Sequence, residues 1–119
     1  MNSFEASHRM QWIGRINTAP SFLDSVFMFS LYKRKQVYCH FPEITPREAL
    51  GDYDESEFST CMQRAVRLWS CSCAMGESAL CYRGAKPLEE AVRLMTEEHP
   101  GFSNECYNEV IYMGMFEMR

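Results

Sequence analysis

A helical repeat of apolar residues in the second half of the chain constrains the fold more than any other feature. Between Asp54 and Gly76, apolar and small side chains recur at spacings of three and four residues. They are Phe58, Cys61, Met62, Ala65, Leu68, Trp69 and Ser72. This spacing places them on one face of an α-helix, whereas a half-buried strand would require alternation. Asp54 followed by Glu57 is a typical helix start, so the pattern predicts a long central helix over residues 54–76.

Two helix starts are recognisable before this central helix. Ser21 followed by Asp24 resembles an N-cap, and the apolar residues after it predict a helix from residue 21 to about 33. Residues 45–48 combine a capping threonine, a proline at the first helical position and a glutamate at the third. These residues predict a short helix that ends at Gly51.

Two more helices are predicted after it. The first begins at Pro87, because proline is tolerated at the start of a helix. Apolar residues at helical spacing follow it, and the helix is predicted to stop at His99, before Pro100 and Gly101. Ser103 is a typical capping residue for a last helix that runs to Arg119.

The remaining segments are less regular. Residues 1–20 are weakly patterned, and the alternation of Val37, Cys39 and Phe41 predicts at most one short extended segment near 36–41. The chain has 119 residues, which is the length of one ordinary domain. We therefore expect an all-α fold, a small single-domain bundle of four to five helices over residues 1–119.

Charge and hydropathy exclude several classes of protein. The net charge is −4, which disfavours a dedicated nucleic-acid binder. Residues 1–47 contain six basic and three acidic side chains, whereas residues 48–119 contain six basic and 13 acidic ones, so the second part can attract a basic partner. The longest apolar-rich stretch, residues 22–32, is shorter than the roughly 20 residues of a membrane span. Without a signal-peptide pattern at the N-terminus, we expect a cytoplasmic protein.

Six cysteines raise the question of disulfides or metal binding: Cys39, Cys61, Cys71, Cys73, Cys81 and Cys106. A chain of this length can form a core without disulfides, so we expect free thiols that pack as small apolar groups. The densest group is Cys71, Cys73 and Cys81, which could bind zinc together with His99, His40 or Cys61. Cys71 and Cys73 lie about 200° apart around a helix, so both can face one ion only if the helix unwinds.

Common enzyme signatures are absent from the sequence. It contains no glycine-rich phosphate loop, no Gly-x-Ser-x-Gly motif and no HExxH helix. Cys39 and His40 are adjacent and would point to opposite faces of an extended segment, so they do not form a catalytic pair. The basic residues 33–35 are explained by the negative end of the preceding helix dipole. We expect neither enzymatic activity nor a cofactor.

The C-terminal helix carries the strongest indication of function. Five apolar side chains cluster there and spread beyond one stripe about 100° wide, so some must leave the core face. They are Tyr112, Met113, Met115, Phe116 and Met118. The helix before it carries two acidic pairs, Glu89 with Glu90 and Glu97 with Glu98, typical of a solvated surface.

These features favour a non-catalytic protein-binding module, such as an inhibitor, adaptor or immunity-type protein. Its partner would be another protein, and the acidic half would suit a basic surface on that partner. The sequence is also compatible with an oligomer. The alternative function is that of a cysteine-dependent metal-binding or redox protein centred on Cys71, Cys73 and Cys81.

Overall fold

The computed structural model describes residues 3–72 and 85–117, and in these ranges it contains six α-helices and no β-strand. The helices are α1 (Ser3–Asn17), α2 (Phe22–Tyr38), α3 (Pro46–Leu50), α4 (Glu55–Trp69), α5 (Ala85–Glu98) and α6 (Asn104–Glu117). The predicted all-α class is confirmed, with one helix more than the expected upper number. None of the described helices combines the length and the apolar character needed to cross a bilayer.

The chain divides into two compact units, Met1–Gln63 and Arg64–Arg119, and the division falls within α4. In the first unit α1 packs against α2 and α3, and α2 also contacts α3. In the second unit α5 packs against α6. That the whole chain behaves as a single domain stays a prediction.

The most buried element of the first unit is α2. The Ser21 hydroxyl accepts a hydrogen bond from the Asp24 N–H at 3.1 Å, as the sequence predicted. Every residue from 23 to 32 is buried, because this part of the helix is apolar around most of its circumference. The helix continues to Tyr38, where the sequence predicted an end near 33 and an extended segment near 36–41. Only the part of that segment from Cys39 onward leaves the helix.

The N-terminal segment differs most from expectation. Where the sequence predicted weak structure over residues 1–20, α1 forms a helix of 15 residues. Its buried residues are Trp12 and Ile16, and the Trp12 ring meets the Tyr32 ring edge-on with centroids 5.3 Å apart. A glycine inside a helix costs about 1 kcal/mol, so Gly14 weakens the local pattern. Packing of α1 against α2 and α3, with these two side chains buried, outweighs that cost.

The predicted starts of α3 and α4 are both confirmed. The Glu48 N–H donates to Thr45 Oγ1 at 3.2 Å while the Thr45 N–H donates to the Glu48 carboxylate at 3.1 Å, which completes a capping box. The Asp54 carboxylate accepts from the Glu57 N–H at 2.8 Å. However, α4 ends at Trp69, well before residue 76, and the residues from 73 to 76 lie outside the described ranges.

The second unit is held together by the apolar faces of α5 and α6. α5 ends at Glu98, directly before His99, and α6 begins directly after Ser103, as the sequence predicted. The buried side chains are Ala91 and Met95 on α5, with Cys106, Tyr107, Val110, Ile111 and Met113 on α6. A helix with this apolar face is stabilised mainly by packing, not by intrinsic propensity.

Candidate functional site

One side of α6 faces solvent along the length of the helix. Glu105, Glu109, Tyr112 and Phe116 are separated by four, three and four residues, so they lie within about 60° of the helix circumference. Tyr112 is 55% exposed and Phe116 is 44% exposed. Glu105 is exposed and Glu109 is half-buried. We call these four residues the α6 stripe: it is acidic near the start of the helix and aromatic near its end.

The opposite side of α6 is anchored in the second unit. The Tyr107 hydroxyl donates a hydrogen bond to the His99 carbonyl at 2.6 Å, and the Phe102 ring meets the Tyr107 ring edge-on with centroids 5.9 Å apart. Tyr107 is itself buried. This anchoring prevents α6 from rotating freely, so the α6 stripe is held at the surface.

The structure separates the five apolar residues that the sequence singled out on this helix. Tyr112 and Phe116 are exposed and Met115 is half-buried, whereas Met113 is only 7% exposed and belongs to the core. Met118 lies outside the described residues. The sequence reasoning missed Glu105 and Glu109, although their spacing ahead of Tyr112 was a readable signal for a shared face.

The acidic residues predicted on α5 are all exposed, but they differ in their partners. The Arg93 guanidinium lies between two of them: its Nη1 donates to Glu97 at 2.6 Å and its Nε to Glu90 at 3.1 Å. The hydrogen bond and charge of Glu90, followed by the charge of Glu97, raise the pKa of Arg93 above its ordinary value. The other two acidic residues are Glu89 and Glu98. The negative charge of this face is therefore partly neutralised from within α5.

A second arrangement in this unit joins a thiol, an imidazole and a carboxylate. Cys71 follows the end of α4, Glu98 is the last residue of α5, and His99 comes directly after it. Cys71 Sγ lies 3.4 Å from His99 Nε2. One ligand atom from each of the three residues lies within 4.8 Å of the others. We call these three residues the Cys71 cluster.

The electrostatics of the Cys71 cluster argue against a nucleophilic thiol. Burial, and then the negative charge of Glu98, raise the pKa of Cys71 above its ordinary value, while a hydrogen bond from Ser70 acts in the opposite direction. A thiolate is the nucleophilic form of cysteine, and a raised pKa makes it scarce near neutral pH. The arrangement can still bind a cation, since its three groups are all metal ligands.

The structure brings together only some of the cysteines and histidines that the sequence proposed for a metal site. Cys71 and His99 meet, whereas Cys73 and Cys81 lie outside the described residues. The four described cysteines are free thiols: Cys39 is exposed, Cys71 is half-buried, and Cys61 and Cys106 are buried.

The basic residues at the end of α2 interact within the first unit. Lys33 donates to the Glu43 carboxylate, and its ammonium lies 5.4 Å from the centre of the Phe29 ring. The Lys35 ammonium lies 5.5 Å from the centre of a Trp12 ring. These local contacts account for two of the three basic side chains without a nucleic acid.

Comparison of the chain with models of protein families, with curated proteins and with solved structures finds no match. The indications of function therefore come from the chemistry of the described side chains. Among the described residues, the α6 stripe and the Cys71 cluster are two arrangements that offer defined chemistry.

Proposed function

We propose that this chain is a non-catalytic protein-binding module that acts in the cytoplasm as an inhibitor, adaptor or immunity-type protein. The observation that carries the proposal is the α6 stripe, in which two exposed aromatic rings follow two carboxylates on one face of an anchored helix. Aromatic side chains are enriched among the residues that dominate binding energy at protein interfaces. Four free thiols among the described cysteines suit a reducing compartment.

The chemistry of the stripe specifies the kind of partner. Glu105 and Phe116 are eleven residues apart, so the stripe is about 16 Å long at 1.5 Å per residue. A partner segment that fits it carries Lys or Arg opposite the carboxylates and an apolar pocket opposite the rings. The 13 acidic and six basic side chains of residues 48–119 also attract a basic surface during the encounter.

The aromatic rings supply the larger share of the expected affinity. Given their exposure, each of Tyr112 and Phe116 can bury about 100 Å² more on binding. At about 25 cal/mol per Å², the two rings together contribute about 5 kcal/mol. The costs of association and side-chain ordering reduce this gain, so the carboxylates and the surrounding contacts must add to it.

The test uses the full chain as bait in extracts of the cells that make it, with the wild type and variants on parallel columns. A protein retained by the wild type is then purified, and its direct binding is measured by calorimetry. Tyr112→Ala and Phe116→Ala are each expected to weaken binding about 30-fold, which corresponds to about 2 kcal/mol. Replacement of Glu105 and Glu109 by Gln is expected to slow association and to reduce its dependence on salt.

Phe4→Ala is the matched control, because Phe4 is an exposed aromatic residue in the first unit. It should leave binding unchanged, and circular dichroism should show the same helix content for all variants. The proposal is wrong if the purified partner binds the Tyr112 and Phe116 variants as tightly as the wild type. It is also wrong if Phe4→Ala weakens binding as much as they do.

A further inference from the structure

We propose that Cys71, Glu98 and His99 form a Zn²⁺ site, with Cys71 Sγ, a Glu98 carboxylate oxygen and His99 Nε2 as the three protein ligands. On binding, the Cys71 thiol loses its proton to solvent and the sulfur bonds to the ion. This site is independent of the α6 stripe and of any protein partner.

The distances within the cluster fit a tetrahedral zinc ion. Bonds of about 2.3 Å to sulfur and about 2.0 Å to nitrogen place those two ligand atoms about 3.5 Å apart at tetrahedral angles. Cys71 Sγ and His99 Nε2 are 3.4 Å apart, close to that value. The Glu98 oxygen lies within 4.8 Å of both. Because Glu98 is exposed, rotation of its side chain can close the remaining distance, which is at most about 1.5 Å.

The backbone around the site is held in place before any ion binds. The His99 N–H donates to the Met95 carbonyl at 2.7 Å, and the His99 carbonyl accepts from the Tyr107 hydroxyl at 2.6 Å. The Cys71 N–H donates to the Leu68 carbonyl at 3.1 Å, which fixes the chain just after α4. Binding therefore needs little more than the rotation of side chains, so the entropic cost is small.

The charge and softness of the ligands select the ion. A thiolate, a carboxylate and a neutral imidazole carry two negative charges, which one divalent ion neutralises. The thiolate and imidazole favour Zn²⁺ over Mg²⁺ or Ca²⁺, which prefer oxygen ligands. Among the described residues these three are the protein ligands, and they leave a fourth tetrahedral position open.

The test is titration of the metal-free full chain with Zn²⁺ by calorimetry, followed by substitution with Co²⁺. We expect one Zn²⁺ per chain, and with Co²⁺ a thiolate-to-metal charge-transfer band and the visible absorption of a tetrahedral complex. Even outer-shell partners of a metal ligand contribute about 10- to 100-fold to affinity, so Cys71→Ser and His99→Gln should each weaken Zn²⁺ binding at least about 100-fold. Cys71→Ser should also abolish the charge-transfer band.

Two further variants keep the test decisive. Cys39→Ser is the matched control, because Cys39 is a cysteine of the first unit that stands next to a histidine in the sequence, and it should leave binding unchanged. Glu98→Gln changes an exposed side chain that does not support the core, and it should weaken binding about tenfold. The proposal is wrong if the wild type shows no saturable Zn²⁺ binding, or if the Co²⁺ charge-transfer band persists in Cys71→Ser.

Discussion

At the scale of single residues, Glu43 shows how an exposed carboxylate can be tuned by its neighbours. The Lys33 ammonium donates to one of its oxygens, and Gln36 Nε2 lies 3.4 Å from the other. The hydrogen bond from Lys33, followed by the charge of Lys33, lowers the pKa of Glu43 below its ordinary value of 4.5. Because the carboxylate is exposed to solvent, the pair contributes little to stability.

Lys33→Met is expected to return the pKa of Glu43 toward its ordinary value, because the donor and its charge are both removed. In the wild type, the lowered pKa means that Glu43 makes its full contribution to stability at pH values above its pKa in the unfolded chain. This contribution disappears as the pH falls through the pKa of Glu43 in the folded chain. An NMR titration of the Glu43 carboxyl group measures the change. Lys35→Met is the control and should leave this pKa where it is. Equal Glu43 pKa values in the wild type and Lys33→Met would contradict the prediction.

At the scale of elements, the stability of α3 depends strongly on the hydrogen bonds of its first turn. The longer helices depend less on theirs. It has only five residues, so few hydrogen bonds within the helix stabilise it. Thr45 and Glu48 satisfy each other's backbone N–H groups, and the helix ends at Gly51, whose φ of +72° suits glycine. The packing of α1 and α2 against α3 links this capping to the stability of the first unit.

Thr45→Ala is expected to lower the free energy of unfolding by about 1 kcal/mol, because the Glu48 N–H loses its acceptor. The measurement is the midpoint of urea denaturation followed by circular dichroism. Thr60→Ala is the matched control: Thr60 is exposed inside α4, where alanine is at least as favourable. Equal midpoints for Thr45→Ala and the wild type would show that the capping box does not stabilise the fold.

At the scale of the whole molecule, the two compact units share one helix. α4 runs from Glu55 to Trp69, and the division between the units falls after Gln63. If one unit unfolded alone, this helix would have to end in its middle, and the backbone hydrogen bonds of the turns next to the break would be lost. The predicted single domain therefore implies that both units unfold together.

The two tryptophans of the chain allow this prediction to be tested, because Trp12 lies in the first unit and Trp69 in the second. Trp69→Phe leaves Trp12 as the fluorescent reporter, and Trp12→Phe leaves Trp69. In each variant we expect the fluorescence and circular dichroism transitions in urea to coincide, as they do in two-state unfolding. A fluorescence transition that clearly precedes or follows the loss of helix in either variant would show that the units unfold separately.

The sequence by itself determined where most helices begin, because the groups that decide a helix start lie within one turn of each other. Thr45 with Glu48 and Asp54 with Glu57 are of this kind, and both form the predicted hydrogen bonds. The helical periodicity likewise determined the all-α class. Helix ends were less predictable, since α2 extends beyond its predicted end and α4 stops before it.

Only the tertiary structure decided which side chains are available for function. Met113 and Tyr112 are neighbours in sequence, but packing within the second unit buries the first and exposes the second. Cys71 and His99 are 28 residues apart and meet only because the segments after α4 and α5 come together. α1 also forms despite its weak pattern, because burial of its apolar side chains is a long-range effect. Local sequence contains no information on such contacts, since they depend on residues that are distant along the chain.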